Sequence, residues 1–409
     1  MRKIRVLPIA FLLVFILLID FYAFEGFFPL FRNLSHQTQD LIFAAYWGFT
    51  ALILFFFLFT LRLALKAGEL TKALKNAINA LLINFVTKLV FVLVLVLLDI
   101  FRLGASVFQG GILSPRNEVV ILIALALASF IFLAFLHGVT LGKYRYKVHK
   151  INLYFDDLPD AFENFKVVQI SDIHAGSFDN ATAVEKGIRM INEQHPDLFV
   201  FTGDLVNNQS TEILPWIEKF SKITAKYGKY SVLGNHDYGD YIQWNSHQEK
   251  ALNLEHLKKY HAEMGFQLLL DQHALIKKGG DEIALLGVEN WGLGFGQRGD
   301  IKKALSGVNP NDFKILLSHD PTHWQSIIKE LPVKIHLTLS GHTHGMQFGI
   351  EALGIKWSPV KYRYKHWAGL TEHNNRYLYI NRGFGFLGFS GRVGIWPEIT
   401  VITLKRKEE

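Results

Sequence analysis

Apolar residues crowd the first third of the chain in four long runs, roughly Ile4–Phe24, Leu41–Leu65, Leu81–Phe101 and Val119–Leu141. Each is about 20 residues or longer, the length an α-helix needs to cross a hydrocarbon core. Beyond Lys143 the period changes. KYRYKVHKINLYF alternates polar and apolar residues, as a half-buried strand does. Short apolar runs bounded by turn residues follow: FKVVQI, DLFVFT and KYSVL, with helical stretches at about 181–193 and 212–225 between them. This βαβαβ series implies a parallel core sheet. A charged helix at about 247–264, two shorter strands near 267–277 and the strand EIALLGV come next. FKILL, a helix from Thr322 and IHLTL then resume the series. The pattern predicts two domains: a four-span membrane region over 1–141 and an α/β domain over 142–409.

The short loops between the runs set an orientation. Lys and Arg are frequent before the first run (Arg2, Lys3, Arg5), sparse in 25–40 (Arg32) and frequent in 62–77 (Arg62, Lys66, Lys72, Lys75). They are fewer again in 102–118 (Arg102, Arg116) and frequent in 142–150 (Lys143, Arg145, Lys147, Lys150). The positive-inside rule puts the basic loops, both termini and the α/β domain in the cytoplasm, which makes the chain a multi-pass protein of the cell's inner membrane. Arg2, Lys3 and Arg5 also suit a signal peptide. FYAFEGFF offers no small-x-small cleavage site, so the first run is expected to stay. Lys88 is the odd residue of the third run. It is expected to snorkel to the interface, leaving the helices as an anchor or a means of presenting lipid.

Composition sharpens this picture. Residues 1–141 carry 11 Lys and Arg against 6 Asp and Glu, hence +5 of the net +7. The basic excess lies beside the apolar runs, so no nucleic-acid partner is expected. The chain has no cysteine. That excludes a disulfide framework, a thiolate zinc site and a cysteine nucleophile.

The α/β domain repeats one device. Five apolar strands end in polar clusters: SDIHAG, GDLVNN, GNHDYG, SHDP and SGHTHG. Ligand sites in parallel sheets lie at the carboxyl ends of strands. Singly, each cluster also reads as a helix cap or a turn. In series they bring together Asp172, His174, Asp204, Asn235, His236, Asp237, His319, His342 and His344. Carboxylates, imidazoles and one amide, with no thiolate, suit divalent Mn, Fe or Zn. The donors are too many for one tetrahedral ion and enough for two ions sharing a carboxylate. Two such ions are a standard device for in-line displacement at phosphorus.

DIH, GDLV, GNHD, SHDP and GHTHG resemble, in order, the motifs of the calcineurin-like metallophosphoesterase superfamily. The resemblance covers about Tyr144 to Leu404 and is closest to the bacterial membrane-associated branch, through LPDAF…FKVVQISDIH and YLYINRGFG…PEIT. It implies a four-layer αββα sandwich after the transmembrane region, and a binuclear centre. Asp172, His174 and His344 would hold one metal, and Asn235, His319 and His342 the other, with Asp204 bridging. His236 would protonate the leaving group or steady the phosphoryl oxygens, with Asp237 orienting its imidazole. A metal-bound hydroxide would attack a phosphodiester or pyrophosphate. Related branches include UDP-diacylglucosamine pyrophosphatases, which points to a lipid-linked substrate. A general phosphodiesterase or phosphomonoesterase on soluble substrates is the alternative, and a non-enzymatic membrane scaffold a remote one, since every expected ligand is present.

Two features depart from or extend the pattern. Met346 stands where this branch often has a second glycine, and is expected to pack. In NRGFGFLGFSGRVGIWPE, Arg382 or Arg392 is expected near the phosphate and Phe384, Phe386 and Phe389 exposed.

Overall fold

The computed structural model describes residues 6–67 and 71–407. Arg2, Lys3, Arg5 and the start of the first expected span lie outside the described residues. The chain divides into two compact units, Met1–Thr140 and Leu141–Glu409.

The first unit consists of α1 (Val6–Phe27), α2 (His36–Ala67), α3 (Lys72–Phe108) and α4 (Glu118–Thr140). All four are long and apolar enough to cross a membrane. Thr71 caps α3 by accepting a hydrogen bond from the Leu74 amide at 3.2 Å. Ala23, Phe91, Leu95, Ile121, Ala124 and Ala128 pack between helices, while Phe55, Phe59, Leu97, Phe101 and Phe130 face outward. Helices apolar on every side belong in lipid, and small residues let them approach closely.

Lys88 does not snorkel. It lies near the middle of α3, where its ammonium pairs with the buried Asp20 of α1 and donates to Thr50 Oγ1 of α2 at 3.1 Å. Tyr46 donates to the Asp20 carbonyl at 2.7 Å, and the Lys88 ammonium lies 4.4 Å from the Tyr46 ring centroid. An unpaired charge at this depth is costly, so the lysine takes an internal partner instead of reaching for water. Asp99 forms a second cluster with Tyr22, Arg102 and Arg116.

The second unit begins with β1 (Lys147–Phe155), β2 (Lys166–Ile170), β3 (Leu198–Phe201), β4 (Lys229–Ser231) and β5 (Gln267–Leu268). It continues through β6 (Gln272–Lys278), β7 (Asp281–Gly287), β8 (Trp291–Gly292), β9 (Gly296–Gln297), β10 (Phe313–Leu317) and β11 (Leu337–Ser340). The last strands are β12 (Ile350–Ala352), β13 (Ile355–Trp357), β14 (Gly369–His373), β15 (Arg376–Ile380) and β16 (Glu398–Arg406). One sheet has the order β1-β16-β2-β3-β4-β5 and the other β14-β15-β11-β10-β7-β6; β8 with β9 and β12 with β13 form separate hairpins. β2 to β5 run parallel, as do β15, β11, β10 and β7.

Side-chain alternation makes the layers. Val167, Leu198 and Val200 of the first sheet meet Leu285, Ile315, Leu317 and Leu339 of the second in one core. The intervening Val168, Ile170, Phe199 and Phe201 pack on the opposite face against Val184, Ile188 and Ile191 of the helix Ala181–Asn192. Leu286, Leu316 and Leu378 pack on the far face of the second sheet with Trp324 and Ile328. Strands buried on both faces read as continuous apolar runs. The result is the helix–sheet–sheet–helix sandwich expected. The single parallel series of the sequence is distributed over two sheets, with β2, β3 and β4 in one and β10 and β11 in the other.

Candidate metal centre

All five polar clusters leave their strands at carboxyl ends. Asp172 and His174 follow β2, Asp204 follows β3, and Asn235, His236 and Asp237 follow β4; His319 follows β10, and His342 and His344 follow β11. Buried polar bonds bind the two edges together beneath them. Gln169 Nε2 donates to Thr202 Oγ1 and to the Ser340 carbonyl, both at 2.9 Å. His319 Nδ1 donates across to the Thr202 carbonyl at 2.8 Å.

Asp172, His174 and His344 bring their donor atoms within 4.8 Å of one another, and so do Asp204, His319 and His342. In the first group the Nε2 atoms of His174 and His344 lie 3.0 Å apart, and His344 Nε2 is 3.2 Å from Asp172 Oδ1. In the second, Asn235 Oδ1 lies 3.2 Å from His319 Nε2 and 2.9 Å from His342 Nδ1. Asp204 Oδ2 stands between them, 3.5 Å from His174 Nε2 and 3.2 Å from His319 Nε2.

Other side chains fix which atoms point inward. The Asn235 amide donates to Tyr241 Oη at 2.7 Å, turning its Oδ1 toward the site. His342 Nε2 lies 2.8 Å from Tyr364 Oη and 3.4 Å from Asp320 Oδ2, leaving Nδ1 for the centre. Asp320 and Tyr364 are absent from the sequence reading as site residues. Burial holds His342 down at about 4, so the ring is neutral at neutral pH and one of its two nitrogens carries a lone pair. His319 behaves oppositely: burial opposes its charge, yet the Asp204 and Asp172 carboxylates push it up to about 10. Asp204 itself sits well below the usual carboxylate range, because the neighbouring imidazoles outweigh its burial. Such packed lone pairs and carboxylates need positive charge between them. Hard and borderline donors of this kind fit a divalent cation.

The backbone is also strained in favour of the site. Asp172, His174, Asp204, His342 and His344 all have positive φ, between 47° and 70°. For residues with a Cβ this costs on the order of 1–3 kcal/mol each, and it persists where a fold over-determines a functional geometry. A Cβ on Gly341 would overlap Ser171 Oγ and Asp172 Oδ2, so the turn between β11 and His342 needs glycine.

A family profile described as "Calcineurin-like phosphoesterase" matches residues 165–346, and one described as "Probable Calcineurin-like phosphoesterase, transmembrane domain" matches residues 3–143. The metallophosphoesterase YkuE of Bacillus subtilis is 31% identical over 254 residues, covering 61% of this chain and 82% of that protein. The chain belongs to the calcineurin-like phosphoesterase family. It is a membrane protein and a phosphoesterase, and its family uses divalent metals. A zebrafish "Transmembrane protein with metallophosphoesterase domain" is 29% identical over 271 residues; the match spans 64% of this phosphoesterase and 57% of the zebrafish protein. YkoQ of Bacillus subtilis, also named a metallophosphoesterase, is 26% identical over 288 residues, which are 68% of this chain and 97% of YkoQ.

Several expectations need correction. Asp237 does not orient the His236 imidazole. Its buried carboxylate accepts from the amides of Asp204, Leu205 and Gly234 at 2.8–2.9 Å and of Val206 at 3.2 Å, so it shapes the turn that carries Asp204. His236 Nδ1 instead donates to the Asn207 carbonyl at 2.7 Å, and the ring stacks on Tyr241 with 4.4 Å between centroids. Neither expected arginine is free for phosphate. Arg382 is buried and paired with Glu398 and Glu351. Arg392 is fully buried, donating to the carbonyls of Gly383 and Gly385 behind His344. Both are claimed because a buried guanidinium needs acceptors for its donors. Phe384 and Phe386 are core residues, the first stacked on Tyr146 and the second edge-on to Tyr144, and Phe389 is half-buried. Met346 does not pack: it is 60% exposed, with φ 55°, on the wall of a cleft of about 440 Å³ that opens on both donor groups.

That cleft is lined further by Phe295, Val360, Tyr362, Arg363 and Leu387. Arg363 lies over the Phe295 ring at 4.6 Å and has no carboxylate partner among the described residues. Its guanidinium is exposed.

Proposed function

We propose that the cleft is a two-cation centre hydrolysing a phosphodiester or pyrophosphate. Asp172, His174 and His344 take one ion, Asn235, His319 and His342 the other, and Asp204 is shared. The observation that carries this is the position of Asp204 Oδ2, within 3.5 Å of a nitrogen from each group. When bound, such ions activate a water and neutralise charge on the phosphoryl oxygens; Mn, Fe and Zn suit the donors. His236 protonates the leaving oxygen, its ring held by the Asn207 carbonyl and Tyr241. Arg363 takes a non-bridging phosphoryl oxygen from the open side of the cleft. Asp237 is a positioning residue for the Asp204 turn.

The membrane-spanning unit and the apolar wall of Met346, Val360, Tyr362 and Leu387 favour a lipid-linked substrate. The alternation of basic loops favours a cytoplasmic catalytic unit, residues 142–409, anchored in the inner membrane by residues 1–141. A reporter fused to the C-terminus is expected to be active in the cytoplasm; activity only outside it contradicts the orientation.

Purified full-length protein is expected to hydrolyse bis-nitrophenyl phosphate with added Mn and to lose that activity on chelation. Arg363→Ala is expected to raise KM about tenfold with kcat little changed, because one charge-assisted hydrogen bond to the ground-state phosphate is lost. Arg382→Ala has a different signature. It leaves Glu398 buried and unpaired, so stability falls by about 3–5 kcal/mol. A KM effect at Arg382 without loss of stability would reverse the two assignments.

A further inference from the structure

The hairpin of β12 and β13 is inverted relative to a water-facing hairpin. Its register pairs Ile350 with Trp357 and Ala352 with Ile355 on one face, and Glu351 with Lys356 on the other. The polar face turns toward the domain: Glu351 pairs with Arg382, and the Lys356 ammonium hydrogen-bonds to the Ala368 carbonyl. The apolar face turns outward. Ile350 is 50% exposed, Ile355 57%, and Leu353 at the tip is fully exposed. Just beyond lies Tyr362, also largely exposed, among the exposed Lys361, Arg363 and Lys365. None of these three cations has a carboxylate partner among the described residues, and the one acid of the hairpin is already committed to Arg382.

We propose that the segment Phe348–Ala368 is an interfacial docking element that seats in the headgroup layer of the bilayer. Its aliphatic tip enters the acyl boundary, Tyr362 and Trp357 occupy the interface, and the cations meet anionic headgroups. The occupant is lipid and not a protein partner, on two grounds. The patch combines apolar side chains with unpaired positive charge, complementary to an anionic leaflet. Only Leu141–Tyr146 separate α4 from β1, so the unit is permanently tethered to a membrane. Met346, Val360, Tyr362 and Arg363, in and beside the same segment, line the cleft. A docked segment therefore delivers the cleft to phosphoesters carried by lipids of that layer. This deepens the phosphoesterase reading and rests on it for the chemistry.

The absence of cysteine allows a direct test, because Leu353→Cys gives one labelling site in the full chain. The fluorescently labelled protein is placed in vesicles of phosphatidylcholine and phosphatidylglycerol, beside a control labelled at Leu252→Cys on the exposed surface of the helix His247–Glu263. The label at 353 is expected to be quenched by a nitroxide-bearing lipid and shielded from aqueous iodide, with the label at 252 showing the reverse. A label at 353 as open to iodide as the one at 252, or shielded from both quenchers as a covering protein would do, overturns the proposal. A second arm uses Leu353→Asp with Ile355→Asp, at two exposed positions that are not among the residues lining the cleft. Hydrolysis of phosphatidyl nitrophenol in the same vesicles is expected to fall about tenfold in kcat/KM, while soluble bis-nitrophenyl phosphate is hydrolysed as before. Equal rates on the vesicle substrate, or equal losses on both, count against docking. If the unaltered protein hydrolyses neither substrate, the phosphoesterase reading fails, and the quenching result still decides the docking element.

Discussion

Asp204→Asn is expected to lower kcat on an aryl phosphodiester by at least about 10³-fold while the fold persists. Asparagine keeps the size of the side chain and an oxygen that can still accept from the His236 amide, a bond now 2.8 Å long. It removes the negative charge and the second carboxylate oxygen. The charge also matters to its neighbours: Asp204 is the principal reason His319 sits high in the absence of a cation. The variant should therefore lose cation affinity as well as rate, with circular dichroism and thermal midpoint close to those of the unaltered protein. Activity within tenfold of that protein would remove Asp204 from the centre.

His236→Ala is expected to show the second large effect, and one that depends on the leaving group. General acid catalysis contributes about 10²–10⁴-fold where the departing oxygen needs a proton. A loss of this size is expected for an alkyl ester, and a loss of less than about tenfold for a nitrophenyl ester, whose phenolate departs unprotonated. The geometry supports the split. His236 borders the cleft, its Nδ1 is occupied by the Asn207 carbonyl, and its ring meets His174 edge-on at 5.0 Å. Its Nε2 is left as the atom that can serve a substrate. Equal losses on both esters would indicate that the ring supports phosphoryl binding instead.

The parts of the site that the sequence exposes are those where an apolar strand stops and a polar side chain begins. Asp172, His174, Asp204, Asn235, His319, His342 and His344 are legible because β2, β3, β10 and β11, and the stretch Ser231–Leu233 at the end of β4, are buried and the polar residues that follow them stand out. The two-sheet arrangement is not visible in the strand pattern itself, since inward and outward positions are apolar alike. Asn207 escapes because it acts through its carbonyl, which carries no side-chain signature. Arg382 and Arg392 mislead because glycines surround them in sequence, while the acceptors that bury them, Glu351, Glu398 and the carbonyls of Gly383 and Gly385, lie apart or in the backbone. Arg363 had a readable signal in KYRYK, where cations alternate with aromatic rings. Lys88 and Asp20 are distant in sequence, and their opposite charges within two apolar spans were the available sign that they would pair.

The central claim is that these residues hold a pair of cations, and counting bound metal tests it most directly. Full-length protein loaded with Mn and freed of excess is expected to retain about two ions per chain by mass spectrometry, and His342→Ala and His344→Ala about one each. A single ion in the unaltered protein, or loss of all metal from either variant, would contradict the account.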